Sequence, residues 1–217
     1  MTSRPHAGFS SRILNLVIGS LLVLAPGLFF AFEYFGSENR PRSLAAEWGI
    51  MELIQQALAG LAAVLFFQSW RRGAGAVRVA GGALAMLAAA AFVREIEIKR
   101  VGVWLEWDWL VWLGKNGLQE ILLVVMTLPI FIYLYVNRSQ FLNLVRLALR
   151  WQAWALYLSG FLLLTSVYLD GRSINGKSMV FWEELIENYA FVFMVLAAWR
   201  HLRLVDDPEW NAGTIAT

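Results

Sequence analysis

The chain has 217 residues, of which 59% are hydrophobic and 16% are charged, and its net charge is +2. Soluble globular domains are closer to about 45–50% apolar and about 25% charged, so this composition excludes an ordinary soluble domain. The chain has no Cys, and its only histidines are His6 and His201, which excludes disulfides, iron–sulfur clusters, Cys-ligated zinc and bis-His haem. The apolar residues fall into runs of about 20, the length that crosses a hydrocarbon core of about 30 Å. The sequence therefore predicts an all-α, polytopic membrane protein.

Six apolar segments have the length of membrane spans, and each ends at charged or turn residues. They leave room for short connections only. We therefore expect one six-span transmembrane domain over residues 1–217, in which residues 200–217 form a short cytoplasmic tail. The predicted spans are Ile13–Phe32, Ile50–Trp70, Val77–Val93, Gly117–Val136, Trp151–Leu169 and Phe181–Trp199.

The first span follows Arg4 and Arg12, a pattern that signal peptides share. Its end is aromatic from Phe30 to Phe35, where a cleavage site would need small residues, so we predict an uncleaved span. The third span is rich in Gly and Ala, and small residues let helix backbones approach closely. We expect this span to be central in the bundle, or to form the contact of a homo- or hetero-oligomer.

A tryptophan-rich segment, Val101–Leu113, separates the third span from the fourth. It is too apolar for a solvated loop and too short to cross a membrane. These properties are typical of an interfacial or re-entrant helix, because indole rings prefer the head-group region. The segment is interpreted either as an anchor or as a lid over a lipid-facing site. Its tryptophans are Trp104, Trp107, Trp109 and Trp112.

Basic residues indicate the orientation of the spans. The connections Arg71–Arg78 and Arg138–Arg150 carry Arg but no acidic residue, which is typical of the cytoplasmic side. Both termini are then cytoplasmic, and thirteen of the 16 acidic residues lie on the opposite side. We expect a multi-pass protein of the cell membrane, most consistent with a bacterial inner membrane, with membrane lipids as partners. No nucleic-acid partner is predicted, because the Arg residues are not gathered on one face.

Ionisable and amide side chains form a layer at the outer ends of the spans. A carboxylate below the interface costs about 2.5–3.5 kcal/mol on insertion scales, so such groups usually face the bundle interior and find partners. Glu187 is the deepest acid of the sixth span, and Arg94 at the end of the third is its expected partner. We predict that five of these side chains converge in one outward-opening pocket: Glu52, Arg94, Glu120, Glu184 and Glu187.

The sequence does not choose among the kinds of chemistry that such a pocket supports. Its oxygen ligands suit a hard divalent cation, and its paired carboxylates suit general acid–base catalysis or a proton relay. Neither haem nor an iron–sulfur cluster is expected, and the cofactor is otherwise left open. Ion pairs that only hold helix ends together explain the acids of the first helical turns equally well. The candidate catalytic residues are Glu187, Glu184 and Glu120, and the candidate substrate-binding residues are Glu52, Arg94, Asn188, Gln119 and Trp107.

Three functions fit these features. A protein that binds or processes a lipid or lipid-linked substrate is favoured, because the tryptophan-rich segment lies beside the polar layer at head-group depth. A non-catalytic assembly subunit would need only the small-residue third span. A proton- or cation-coupled transporter would need polar groups across the membrane, and the inner halves of the spans offer only Asn15, Gln68 and Ser69. Ser166 has no His for a catalytic triad and is interpreted as a packing residue.

The predicted topology can be tested with reporter fusions. Fusions after Arg72 and after Arg146 are expected to report a cytoplasmic location, because both follow acid-free basic segments. A fusion after Arg172 is expected to report the opposite side. Alkaline phosphatase and green fluorescent protein activities measure the two locations, and inversion at any of the three sites would contradict the topology.

Overall fold

The computed structural model describes residues 50–96, 105–115, 118–150, 153–169, 173–174, 177–178 and 180–207. The chain divides into two units, Met1–Gly49 and Ile50–Thr217, and all of the described residues lie in the second unit. The predicted first span, Ile13–Phe32, therefore lies outside the described residues.

The described part of the chain is almost entirely helical. Gly73 and Ala74 join its first two helices, α1 and α2. A 3-10 turn, Arg138–Gln140, joins α4 to α5. The only sheet among the described residues is a short antiparallel ladder, in which Ser173 lies opposite Ser178 and Ile174 opposite Lys177. The elements are α1 (Ile50–Arg72), α2 (Gly75–Glu95), α3 (Asp108–Lys115), α4 (Leu118–Val136), α5 (Phe141–Ala148), α6 (Trp154–Leu169), β1 (Ser173–Ile174), β2 (Lys177–Ser178) and α7 (Val180–Leu204).

Helices α1 and α2 are long and apolar enough to cross a membrane, over Met51–Arg72 and Gly75–Arg94. Helices α4 and α5 form a third candidate only if they act together, because a 70° bend separates Ile121–Val136 from Arg138–Ala148. Helix α6 is apolar but has only 16 residues. Helix α7 is longer but carries ionisable side chains near both ends. The described residues thus contain two or three membrane-spanning candidates, and the count of six spans stays a prediction.

The connection between the predicted fourth and fifth spans is helical rather than an irregular loop. It consists of the 3-10 turn and α5, a strongly amphipathic helix. Phe141 and Leu142 of α5 are exposed, whereas Leu147 is buried. The sequence predicted a loop here because the segment carries basic residues, and charged residues between apolar runs are typical of loops.

The helices pack side by side in the order α6, α7, α1, α2 and α4, and α5 packs against α2. Helices α1 and α2 form an antiparallel hairpin. Helices α1 and α7 run parallel, since Gln55 contacts Glu184 near the start of both and Phe66 contacts His201 near their ends. Fully buried apolar residues, among them Phe66 and Phe191, fill the space between them.

Glycines of α2 allow the closest helix contacts that the structure describes. A Cβ atom on Gly81 would lie 2.9 Å from the backbone nitrogen of Trp70 and 3.2 Å from the backbone oxygen of Phe66, both in α1. A Cβ atom on Gly82 would lie 2.7 Å from the Tyr133 hydroxyl of α4. Both close approaches occur within one chain, so an oligomer formed through this helix stays a prediction.

Gly81→Ala is expected to destabilise the protein, because the added methyl group meets backbone atoms of α1 that cannot turn away. Overpacking of this kind costs about 1–3 kcal/mol. Gly160→Ala in α6 is the matched control, since a Cβ atom there meets nothing within 4 Å. The control is expected to be neutral or slightly stabilising, as Ala favours helix more than Gly does. Thermal unfolding in detergent measures both variants, and equal midpoints would contradict the close approach.

Candidate functional site

Glu187 is a buried acid near the start of α7, and it is 5% exposed. Its Oε1 atom accepts a hydrogen bond from Arg94 Nη2 of α2 at 3.0 Å. The same oxygen lies 3.0 Å from the hydroxyl oxygen of Ser166, a residue of α6 that is fully buried. That hydroxyl also lies 2.8 Å from the backbone oxygen of Leu163. Its single proton can serve one acceptor at a time, and a carboxylate is the stronger acceptor.

The ion pair of Arg94 and Glu187 is asymmetric in its exposure. The Arg94 side chain is 45% exposed, whereas that of Glu187 is 6% exposed. The carboxylate is therefore held inside the bundle while the guanidinium reaches the surface. Removal of the arginine would strand a buried charge, whereas removal of the acid would leave a cation that can turn towards water.

A second pair of side chains joins α1 to α7 beside this ion pair. Gln55 is 1% exposed, and its Nε2 donates to Glu184 Oε2 at 2.7 Å and lies 3.3 Å from the backbone oxygen of Glu184. Asn188 Nδ2 donates to that same backbone oxygen at 2.8 Å. The Oδ1 atom of Asn188 is buried without a hydrogen-bond partner among the described residues. We refer to these residues together as the outer polar cluster, after the side to which the sequence assigns this end of the helices: Gln55, Arg94, Ser166, Glu184, Glu187 and Asn188.

The structure brings together part of the pocket that the sequence predicts. Arg94 contacts Glu187, and Glu184 is linked to α1 through Gln55. Glu52 is half-buried in the first turn of α1. Trp107 is 48% exposed and stacks on Trp109 at 5.8 Å between ring centres. Two predicted site residues of the first turn of α4, Gln119 and Glu120, have side chains outside the described part of the structure.

The cluster presents both hydrogen-bond donors and acceptors. Within the described ranges, no group of three or more His, Asp or Glu side chains is placed to hold a metal. Arg94 offers N–H donors to an anionic oxygen. The Glu184 carboxylate is an acceptor for an amine or a hydroxyl. The arrangement therefore suits a ligand that carries both an anionic oxygen and hydrogen-bond donors.

Ser166 is a buried packing residue, as the sequence predicts, and its hydroxyl in addition contacts Glu187, which the sequence did not predict. A lone Ser in an apolar helix is an ambiguous signal, since its side chain commonly bonds to a carbonyl of its own helix. Thr165 next to it does this, with its Oγ1 atom donating to the backbone oxygen of Phe161 at 2.9 Å. The sequence alone does not distinguish the two hydroxyls. They differ because Ser166 lies beside Glu187 in the folded chain.

His201 lies at the opposite end of α7 and is 8% exposed. The sequence places it in a cytoplasmic tail, but α7 continues to Leu204 and the start of that tail is helical. His201 Nε2 lies 3.0 Å from the backbone oxygen of Val77 in α2. A carbonyl oxygen only accepts, so Nε2 carries the proton in this contact. The ring also lies 5.9 Å from the Phe66 ring of α1, which ties three helices together.

Ser166→Ala is expected to lower the free energy of unfolding by about 1.5–3 kcal/mol, the usual contribution of a hydrogen bond to a charged group. Thr165→Ala is the matched control, because it removes only a bond within α6 and should change stability far less. The thermal unfolding midpoint in detergent is the measurement. Equal losses in the two variants would mean that Ser166 does not support Glu187.

No protein-family model matches the chain, and no curated protein or solved structure matches it either. The roles of the outer polar cluster therefore follow from its own contacts, exposure and charge.

Proposed function

We propose that this chain is an integral membrane protein of six spans that binds the polar head of a lipid, or of a lipid-linked molecule, at the outer ends of its helices. Both termini are cytoplasmic in this proposal, and the membrane is a bacterial inner membrane. The observation that carries the proposal is the ion pair in which buried Glu187 holds half-exposed Arg94. Ionisable side chains inside a membrane protein are costly, and they commonly mark a binding or transport site.

The groups around this pair are complementary to a phosphate-bearing head group. In this proposal Arg94, in the last turn of α2, lies at head-group depth and donates to phosphate oxygen. Glu184 accepts hydrogen bonds from an amine or hydroxyl of the same ligand. The carboxylate acceptor favours a head group with N–H or O–H donors over a head group whose amine is fully methylated.

Tryptophan exposure supports a membrane interface next to the cluster. Trp109 and Trp112 of α3 are 57% and 63% exposed. Helix α3 ends shortly before the first turn of α4, so it lies at the same end of the bundle as Arg94. Exposed indole rings are typical of the head-group region, where they anchor a protein. A lipid head arriving at this depth would reach the cluster without crossing the bilayer.

A transporter is the second candidate, and buried polar groups nearer the other end of the helices favour it. Ser69 and Ser159 are almost fully buried, and their Oγ atoms have no hydrogen-bond partner among the described residues. His201 lies at the same end. The sequence predicted few polar side chains in the inner halves of the spans, whereas Ser159 and His201 add buried polar groups there. Loss of coupled ion uptake in Ser159→Ala vesicles would favour this candidate over lipid binding.

A non-catalytic assembly subunit remains the third candidate. Helix α4 exposes a broad apolar face that includes Val124, Phe131 and Tyr135. Lipid tails and a partner helix would cover such a face equally well. Co-purification of a stoichiometric membrane partner that protects this face from labelling would favour assembly.

The lipid-binding proposal is tested by native mass spectrometry of the purified full chain. Phosphatidylethanolamine and phosphatidylcholine share a phosphate, but only the first has N–H donors for Glu184. We expect about tenfold tighter retention of phosphatidylethanolamine, which is equivalent to about 1.4 kcal/mol. Arg94→Gln should weaken retention of both lipids, and Glu184→Gln should reduce the preference between them.

Arg72→Gln is the matched control for Arg94→Gln. Arg72 forms an ion pair with Asp206 at 3.3 Å, but the two side chains are 57% and 72% exposed, at the other end of the bundle. Its removal should leave retention of both lipids unchanged, because exposed pairs contribute little. Equal retention of the two lipids by the wild-type protein would contradict the proposed head-group site.

A further inference from the structure

A cavity of about 590 Å³ lies near the end of the helices opposite Glu187. Its wall is mainly apolar and includes Phe66, Leu84, Leu134, Leu144 and Leu156, which come from five different helices. Binding sites for small ligands have volumes of about 300–1,000 Å³, so the cavity has the size of a ligand site. The outer polar cluster does not use it.

Three arginines lie around this apolar cavity: Arg138 of the 3-10 turn, Arg150 after α5, and Arg200 of α7. None of the described residues that line the cavity is acidic. The guanidinium carbon of Arg138 lies 5.1 Å from the centre of the Tyr135 ring, and that of Arg200 lies 4.9 Å from the centre of the Trp154 ring. A guanidinium held over an aromatic face keeps its N–H groups at its edge, where they can donate to an anion.

The bend between α4 and α5 brings a surface helix to this cavity. Helix α5 turns away from α4 by 70°, and Phe141 and Val145 of α5 contribute to the cavity wall. The neighbouring Leu142 is 70% exposed. A short amphipathic helix with exposed apolar side chains and an Arg is typical of one that lies in the membrane interface. A ligand can therefore reach the cavity from the lipid phase.

We infer that this cavity binds one acyl chain of an anionic glycerophospholipid, with the lipid phosphate held by Arg138, Arg150 and Arg200. The apolar wall is complementary to the chain, and the three cations are complementary to the phosphate. Basic pockets between helices at the cytoplasmic face are known to suit anionic head groups. The predicted orientation places this end of the helices at the cytoplasmic leaflet, so the lipid comes from that leaflet. The site is independent of the outer polar cluster.

The test is a titration of the purified full chain in detergent with dioleoyl-phosphatidylglycerol, followed by native mass spectrometry. Phosphatidylglycerol should bind more tightly than phosphatidylcholine with the same acyl chains, and added salt should reduce the difference. Arg138→Gln and Arg150→Gln should each weaken phosphatidylglycerol binding about fivefold, equivalent to about 1 kcal/mol for each cation near an anionic lipid. Arg200→Lys should retain part of the binding, because the charge stays while the planar donor group is lost.

Arg146→Gln is the matched control. Arg146 is an exposed residue of α5 that does not line the cavity, so its loss should leave affinity unchanged. Equal weakening by Arg146→Gln and Arg138→Gln would show a general attraction to basic surface and would overturn the proposal.

Ala148→Phe tests the acyl chain separately from the phosphate. Ala148 lines the cavity yet is exposed, so a larger side chain can enter the cavity without disturbing a packed core. The variant should lose phosphatidylglycerol binding while its thermal unfolding midpoint in lipid-free detergent stays unchanged. Unchanged binding would place the lipid elsewhere and overturn the proposal. Oleate that binds as tightly as phosphatidylglycerol would also overturn it, because the ligand would then be a free fatty acid.

Discussion

Helix α7 buries polar side chains near both of its ends. The packing of the described helices depends on the hydrogen-bond partners that these side chains find on neighbouring helices. Near its start, Glu187 takes hydrogen-bond donors from α2 and α6, and Glu184 takes one from α1. Near its end, His201 donates to a backbone oxygen of α2. Apolar contact drives helix association weakly inside a bilayer, because lipid tails are as apolar as the side chains. The hydrogen bonds therefore set both the rotation of α7 and its depth relative to the neighbouring helices.

The pairing of Glu187 with Arg94 could be predicted from the sequence, because helical rise places both residues at a similar level and few cations lie there. The hydrogen bond from Ser166 was not accessible, since the partner of a hydroxyl in an apolar helix depends on helix rotation. The bend before α5 was also missed. The basic residues of α5 resemble those of a loop. The amphipathic pattern of α5 identifies a helix only when the surface that its apolar face packs against is known. The burial of His201 was not predicted either, because its charged neighbours led us to place it in the tail after the last apolar segment.

The two ends of the bundle differ in chemistry as well as in charge. Near the start of α7, carboxylates and amides surround Arg94, and short hydrogen bonds between helices hold them. At the other end, three arginines lie around an apolar cavity of about 590 Å³. The first arrangement is polar throughout, whereas the second combines arginines with an apolar space.

The contact of Gln55 with Glu184 joins residues that are 129 positions apart in the chain. During synthesis, α1 and α2 leave the ribosome as an adjacent hairpin long before α7 exists. Their final neighbours in the bundle arrive only with the last described helix. Until then the Gln55 amide is without its carboxylate and the Arg94 guanidinium is without Glu187. A chain halted before α7 would thus leave Gln55 and Arg94 without the hydrogen-bond acceptors that α7 supplies in the complete fold.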